Sequence, residues 1–127
     1  MGGGLTAIVC DDAPGFRVLM AAVLREQDID VIDQGATWAD AEALSVQVPD
    51  LIVADLWMPS FDEDALVRVR ASAPNATLAI VTALNLVDAA EQIAALGVDL
   101  LLSKSTPPDE VAATIAAHVR GAETATA

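Results

Sequence analysis

The chain reads as an α/β protein whose single parallel sheet is covered by helices on both faces, and three observations carry that reading. Five apolar runs of strand length, Leu5–Cys10, Ile29–Ile32, Leu51–Ala54, Leu78–Val81 and Val98–Leu102, are each followed by a stretch with helical spacing. Leu51–Ala54 and Leu78–Val81 are continuously apolar and the other runs hold one polar residue each, as strands buried largely on both faces do. Strand and helix alternate strictly along the chain, the order of a parallel sheet.

After the first run, Phe16, Leu19, Met20, Val23 and Leu24 recur at offsets of three and four, with Arg17, Arg25 and Glu26 opposite. One face of this helix is core and the other solvent. Thr37 and Asp40 have capping-box-like spacing before a second helix that carries Trp38, Ala41 and Leu44, and Pro49 closes it. Ala65, Leu66 and Val69 mark a third helix, broken by Pro74. A fourth spans about Val87 to Leu96 and ends at Gly97, a natural left-handed C-terminal position. The last takes Thr106 as cap and Pro107 in its first turn, and buries Val111, Ile115 and Val119. It is expected to stop at Gly121, leaving Glu123–Ala127 as a frayed tail.

At 127 residues and 54% apolar composition the chain predicts one domain over residues 5–121, with flexible termini at 1–4 and 122–127. Nineteen acidic against six basic side chains give a formal charge of -13, which argues against direct nucleic acid binding and against an anionic membrane surface. No apolar stretch approaches the roughly 18 residues needed to span a bilayer, and the glycine-rich start lacks the features of a signal peptide. The single cysteine, Cys10, cannot form an internal disulfide and reads as a buried, unreactive thiol. A cytoplasmic location is expected.

Ligands of open parallel sheets bind outside the carboxyl ends of the strands, where strand order reverses. For a flavodoxin-like (βα)5 three-layer sandwich of order 2-1-3-4-5, that crevice lies between strands one and three. Asp11 and Asp12 end the first run and Asp55 ends the third, with Thr82 after the fourth and Lys104 after the fifth. Neighbouring strands are about 4.8 Å apart, so a lysine side chain spans most of the distance back to Asp55. Clustered carboxylates with open positions suit Mg²⁺, a hard cation that prefers oxygen ligands and keeps several waters. A carboxylate at such a place can attack phosphorus while an ammonium and a hydroxyl stabilise the equatorial oxygens, and Asp55 is the candidate nucleophile. Taken singly, the two aspartates would pass for caps of the helix at Pro14, Thr82 for a strand end and Lys104 for a solvated charge.

From Leu5 to Arg120 the chain resembles the receiver domain of bacterial response regulators. Ile8-Val9-Cys10-Asp11-Asp12 is similar to the acidic pair of that family, and Asp55-Leu56-Trp57-Met58-Pro59 to its phosphoacceptor and Met-Pro turn. Val81-Thr82-Ala83 and Lys104 complete the set. The resemblance implies that Asp55 is phosphorylated, that Asp12, Asp55 and the Trp57 backbone carbonyl ligate Mg²⁺, and that Asp11 acts largely through metal-bound water. Thr82 and Lys104 would bind the phosphoryl oxygens. The donor would be a histidine kinase or phosphotransfer protein, since His118, the only histidine, is placed on the polar side of the last helix. The chain would catalyse only its own phosphorylation and dephosphorylation. The face of helix four, strand five and helix five is the expected partner or homodimer surface. Residues Gly97 to Ile115 further resemble receivers of LuxR-type helix-turn-helix regulators.

Three positions differ from the family pattern. Leu101 stands where a Tyr or Phe is usual, Ser105 replaces the proline that commonly follows the lysine through a cis bond, and Glu63 replaces a glycine. A non-proline cis peptide costs about 2.5 to 4 kcal/mol, so a trans bond is expected at Ser105. Glu63 joins Asp62 and Asp64 at the start of helix three, where the helix dipole favours them. These positions touch signal transmission rather than phosphoryl chemistry, and they motivate an alternative reading as a phosphorylation-independent interaction module. A haloacid-dehalogenase-type phosphatase is disfavoured because Leu56 and Trp57 follow Asp55 in place of an Asp-x-Asp pair, and a flavodoxin because Asp11 and Asp12 would repel the cofactor phosphate.

Overall fold

A computed structural model describes residues 4–83, 86–93 and 96–125. The elements alternate as β1 (Leu5–Cys10), α1 (Pro14–Glu26), β2 (Ile29–Gly35), α2 (Trp38–Ser45), β3 (Leu51–Ala54), α3 (Glu63–Ser72), β4 (Thr77–Thr82), α4 (Leu86–Ile93), β5 (Leu100–Ser103) and α5 (Pro108–Ala125). The five strands form one parallel sheet in the order β2-β1-β3-β4-β5, the order expected.

Successive strand residues point to opposite faces, and the core divides accordingly. Ala7, Val9, Leu51, Val53, Ala79 and Val81 pack with Met20, Ala21 and Leu24 of α1 and Val111, Ile115 and Val119 of α5. Ile8, Cys10, Ile52, Ala54, Leu78 and Ile80 pack with Trp38, Leu66, Val69 and Ile93 of α2, α3 and α4. This two-sided burial is why the runs of β3 and β4 are apolar without alternation, whereas β2 at the sheet edge buries Ile29 and Val31 and exposes Asp30 and Ile32.

Several expected boundaries shift, each for a local reason. β2 runs on to Gly35 although its apolar run stops at Ile32, because Asp33, Gln34 and Gly35 pair through their backbones with Ile8, Val9 and Cys10. As an edge strand it can carry exposed polar residues there. β5 begins at Leu100 rather than Val98, because Asp99 turns to accept the Leu78 N–H at 2.8 Å and to pair with Arg70 at 2.8 Å. Leu19 was expected in the core, yet it is 46% exposed: the buried stripe of α1 runs through Met20, Ala21, Val23 and Leu24. α5 starts at Pro108, one residue later than a Thr106 cap implies, with the Pro107 carbonyl accepting the Val111 N–H at 3.0 Å. It also does not stop at Gly121 but continues to Ala125. One glycine costs a helix only about 1 kcal/mol, and the alanines around it restore the propensity.

Other expectations hold. Thr37 caps α2 by accepting the Asp40 N–H at 3.0 Å, while Asp40 accepts the Ala36 N–H at 2.9 Å. Gly35 lets this corner close, since a Cβ there would lie 2.7 Å from the Asp40 Cβ. Asp62 caps α3, with Glu63 and Asp64 in its first turn. Gly97 takes the left-handed conformation at φ 81°. Part of the expected end of the fourth helix, Ala94 and Ala95, lies outside the described residues, as do 1–3 and 126–127 at the termini.

Val48, in the turn between α2 and β3, also has a positive φ, 52°, which is strained for a β-branched residue. It is 64% exposed, so its side chain contributes little packing. Val48→Asn is expected to raise stability by about 1 kcal/mol, because asparagine tolerates this conformation where valine does not. Urea unfolding would register it as a higher midpoint at unchanged slope.

Candidate phosphoacceptor site

The site is assembled by strand register. Cys10 of β1 and Ala54 of β3 are paired neighbours, so the residues that follow them, Asp11 and Asp55, emerge side by side. The Asp11 N–H donates to the Gly35 carbonyl at 3.0 Å and the Asp55 N–H to the Cys10 carbonyl at 3.2 Å, which fixes both backbones at the sheet's carboxyl edge. Thr82 pairs with Ser103 across β4 and β5, and its carbonyl accepts the Lys104 N–H at 2.9 Å. The parity that sends Val9, Val53 and Leu102 to the α1 and α5 layer continues through Asp11, Asp55 and Lys104, so these side chains rise on the same side of the sheet.

There they meet. The Lys104 Nζ lies 2.8 Å from Asp11 Oδ2 and 3.0 Å from Asp55 Oδ2, with the Phe16 ring centroid 4.5 Å away. Ligand oxygens of Asp11, Asp12 and Asp55 all lie within 4.8 Å of one another, and this group could hold a metal ion. Asp11 is 2% exposed and Asp55 8%, while Asp12 is exposed at the mouth. Burial opposes the charge of Lys104, but hydrogen bonds and attraction from Asp11 and Asp55 outweigh it and hold its pKa above the ordinary lysine value. Asp11 is held further by accepting the Ala13 N–H at 2.9 Å on Oδ1, and Arg17 donates to its backbone carbonyl at 2.8 Å.

The loop after Asp55 is equally constrained. The Trp57 N–H donates to Asp55 Oδ1 at 3.3 Å, the indole N–H of Trp38 donates to the Leu56 carbonyl at 2.9 Å, and the Trp38 backbone N–H donates to the Pro59 carbonyl at 3.0 Å. Ser60 then turns the chain toward α3 with φ 70°. The Trp57 ring, 45% exposed, stands edge-on to Phe61 at 5.4 Å, and Phe61 tilts against Trp38 at 5.8 Å.

The structure therefore brings together Asp11, Asp12, Asp55 and Lys104 as read from the sequence, and Trp57 borders them. Thr82 is fully buried at the end of β4, one strand from Asp55, on the parity of the α2 to α4 face. Two residues read from the sequence as structural prove to adjoin the site: Phe16, beneath the lysine, and Trp38, on the acceptor loop. Phe16 offered a signal, since it lies in the first turn of the helix that follows the acidic pair. Trp38 offered none, because its partners are remote in sequence.

Cys10, at the end of β1, is buried with a thiol pushed up to about 12, first by burial and then by the nearby Asp40 carboxylate. Its place in the core is as expected. His118 is exposed on α5. Leu101 faces the α2 to α4 layer and lines a groove of about 200 Å³ with Ala90, Ile93, Val98 and Asp99. No cis peptide occurs among the described residues, so the bond between Lys104 and Ser105 is trans.

A sequence model described as the response regulator receiver domain matches residues 7–116. The chain belongs to this family. As a receiver domain it is part of two-component signalling. The receiver is also similar to the REC domain of AraT, a response regulator from Geobacillus stearothermophilus, with a TM-score of 0.83 at 22% identity, covering 97% of this chain and 98% of that one. The signal receiver domain of the putative response regulator NarL from Mycobacterium tuberculosis superposes with a TM-score of 0.83 at 21% identity, over 93% of this chain and 98% of that one. A LuxR-family two-component response regulator from Aurantimonas sp. SI85-9A1 gives 0.81 at 24% identity, over 94% and 87%. At these identities the likeness establishes the fold, while the family rests on the sequence match. No curated protein sequence matches the receiver. Among its described residues no helix is long and apolar enough to cross a membrane.

Proposed function

We propose that this receiver accepts a phosphoryl group on Asp55 from a histidine kinase or phosphotransfer protein. The observation that supports this most directly is one ammonium, Lys104 Nζ, bridging Asp11 and Asp55 at 2.8 and 3.0 Å beside an open carboxylate mouth. An Asp55 carboxylate oxygen attacks phosphorus, the new O–P bond forms as the P–N bond of the donor phosphohistidine breaks, and the imidazole leaves with a proton from solvent. Lys104 stabilises charge on the phosphoryl oxygens as it develops, with Thr82 as the second donor.

The donor chemistry of Asp11, Asp12, Asp55 and the Trp57 carbonyl suits Mg²⁺, which when bound would offset repulsion between the carboxylates and an incoming phosphoryl group. Asp11 and Asp12 would hold the cation together with Asp55, while Lys104 meets the carboxylates from within the chain. The chain acts only on itself, as a cytoplasmic signalling module rather than an enzyme with turnover. The added charge, about -1.5 to -2 at neutral pH, draws Lys104 onto the phosphoryl group and biases the face of α4, β5 and α5 toward a partner or a second copy.

Acetyl phosphate with Mg²⁺ tests this reading. One phosphoryl group per chain, stable in acid and labile in base, is expected, and borohydride reduction should map it to position 55. Absence of the adduct, or its appearance at another residue, would sink the proposal. Leu101, in place of an aromatic ring, favours one second reading, a module that binds its partner regardless of phosphorylation. Partner affinity unchanged by beryllofluoride would support that alternative.

A further inference from the structure

We propose that Trp38 is a positioning residue for the acceptor: its indole N–H holds the Leu56–Trp57 peptide so that the Trp57 N–H meets Asp55. This inference rests on the receiver chemistry proposed above.

A peptide group is planar, so the Leu56 carbonyl and the Trp57 N–H are opposite ends of one rigid unit. The carbonyl end accepts the Trp38 indole N–H at 2.9 Å in a buried setting, and the N–H end donates to Asp55 Oδ1 at 3.3 Å. With Lys104 on Oδ2, each of the two oxygens of the acceptor thereby has its own donor. Rotation of this peptide would release the Asp55 contact and leave a buried indole donor without its partner, which is unfavourable.

Trp38 is itself well placed to act as a fixed post. It is fully buried and is the first residue of α2, with Thr37 capping that helix. Its backbone N–H holds the Pro59 carbonyl, so Leu56 and Pro59, the two ends of the acceptor loop, are tied to one residue. The Trp57 carbonyl, the expected metal ligand, lies between those ties. Packing alone would be served by a leucine or phenylalanine; the indole adds a donor aimed at this loop.

Trp38→Phe keeps most of the aromatic volume and deletes the donor. Val69→Ala, in the same core cluster but with no side-chain donor to the loop, serves as a destabilised control. Phosphorylation by acetyl phosphate with Mg²⁺ would be followed at a temperature where both variants remain folded. Trp38→Phe is expected to lower the maximal rate about tenfold with the donor's half-saturation changed less than about twofold, while Val69→Ala stays near wild type. Equal rates in the two variants would overturn the role.

Should Trp38→Phe fail to fold, NMR of the wild type decides. Addition of beryllofluoride and Mg²⁺ should shift the Trp38 indole N–H resonance together with the Trp57 amide. An indole resonance that stays in place while the Trp57 amide moves would overturn the role. A wild type that takes up neither phosphoryl nor beryllofluoride would defeat the receiver chemistry itself, a separate outcome from a failure of Trp38 alone.

Discussion

Asp55→Asn is expected to abolish phosphoryl uptake from acetyl phosphate while leaving the metal-free fold standing. An amide is not a nucleophile toward phosphorus, and among the described residues Asp11 and Asp12 are the other carboxylates of the cluster. Asp11 is committed to Lys104 at 2.8 Å and to the Ala13 N–H at 2.9 Å, and Asp12 lies exposed at the mouth. Neither is placed to substitute. Asparagine keeps an oxygen for Lys104 but loses the acceptor for the Trp57 N–H, and it removes one of three mutually repelling charges, so the metal-free variant should melt close to the wild type. Intact-mass spectrometry and thermal melting in chelator check the two halves separately. A residual adduct would show that another group accepts the phosphoryl, and a large drop in melting temperature would show that the Asp55 charge is needed for folding.

Lys104→Ala is expected to have the opposite pattern, harming stability and reaction together. Among the described residues the lysine is the single cation between Asp11 and Asp55, whose side chains are 3% and 11% exposed, and its removal leaves buried carboxylates without that partner. Breaking such a pair costs about 3 kcal/mol, the lower end of the usual range because the mouth admits water. For a domain of this size the melting temperature in chelator should fall by about 10 °C. Millimolar Mg²⁺ should recover part of that loss, since a cation that binds only the folded state stabilises it by mass action. The phosphorylation rate should still fall about 100-fold at saturating Mg²⁺, the typical effect of losing one donor to a developing oxyanion. Equal melting of variant and wild type in chelator would mean that the ammonium does not offset the aspartates.

Much of this site is legible in the sequence. Asp11, Asp55 and Lys104 each follow an apolar run, and in a parallel α/β order the ends of such runs share one edge of the sheet. Local patterns therefore placed them at the right edge. They did not place them on the same side of it, which depends on where each strand begins and on the pairing of Cys10 with Ala54 and Thr82 with Ser103. Boundaries set by backbone pairing or by competing side-chain contacts, such as the extension of β2 to Gly35 and the late start of β5, were likewise beyond the apolar pattern.

What the sequence by itself determined is the alternation of elements and the identity of the acidic and basic groups, because periodicity and residue chemistry are properties of short stretches. The tertiary structure decided which groups touch: Lys104 on two aspartates and over Phe16, and Trp38 on the Leu56 carbonyl 18 residues away. Such contacts depend on crossover paths and strand register, which are set by packing the whole sheet at once rather than by any segment of the chain.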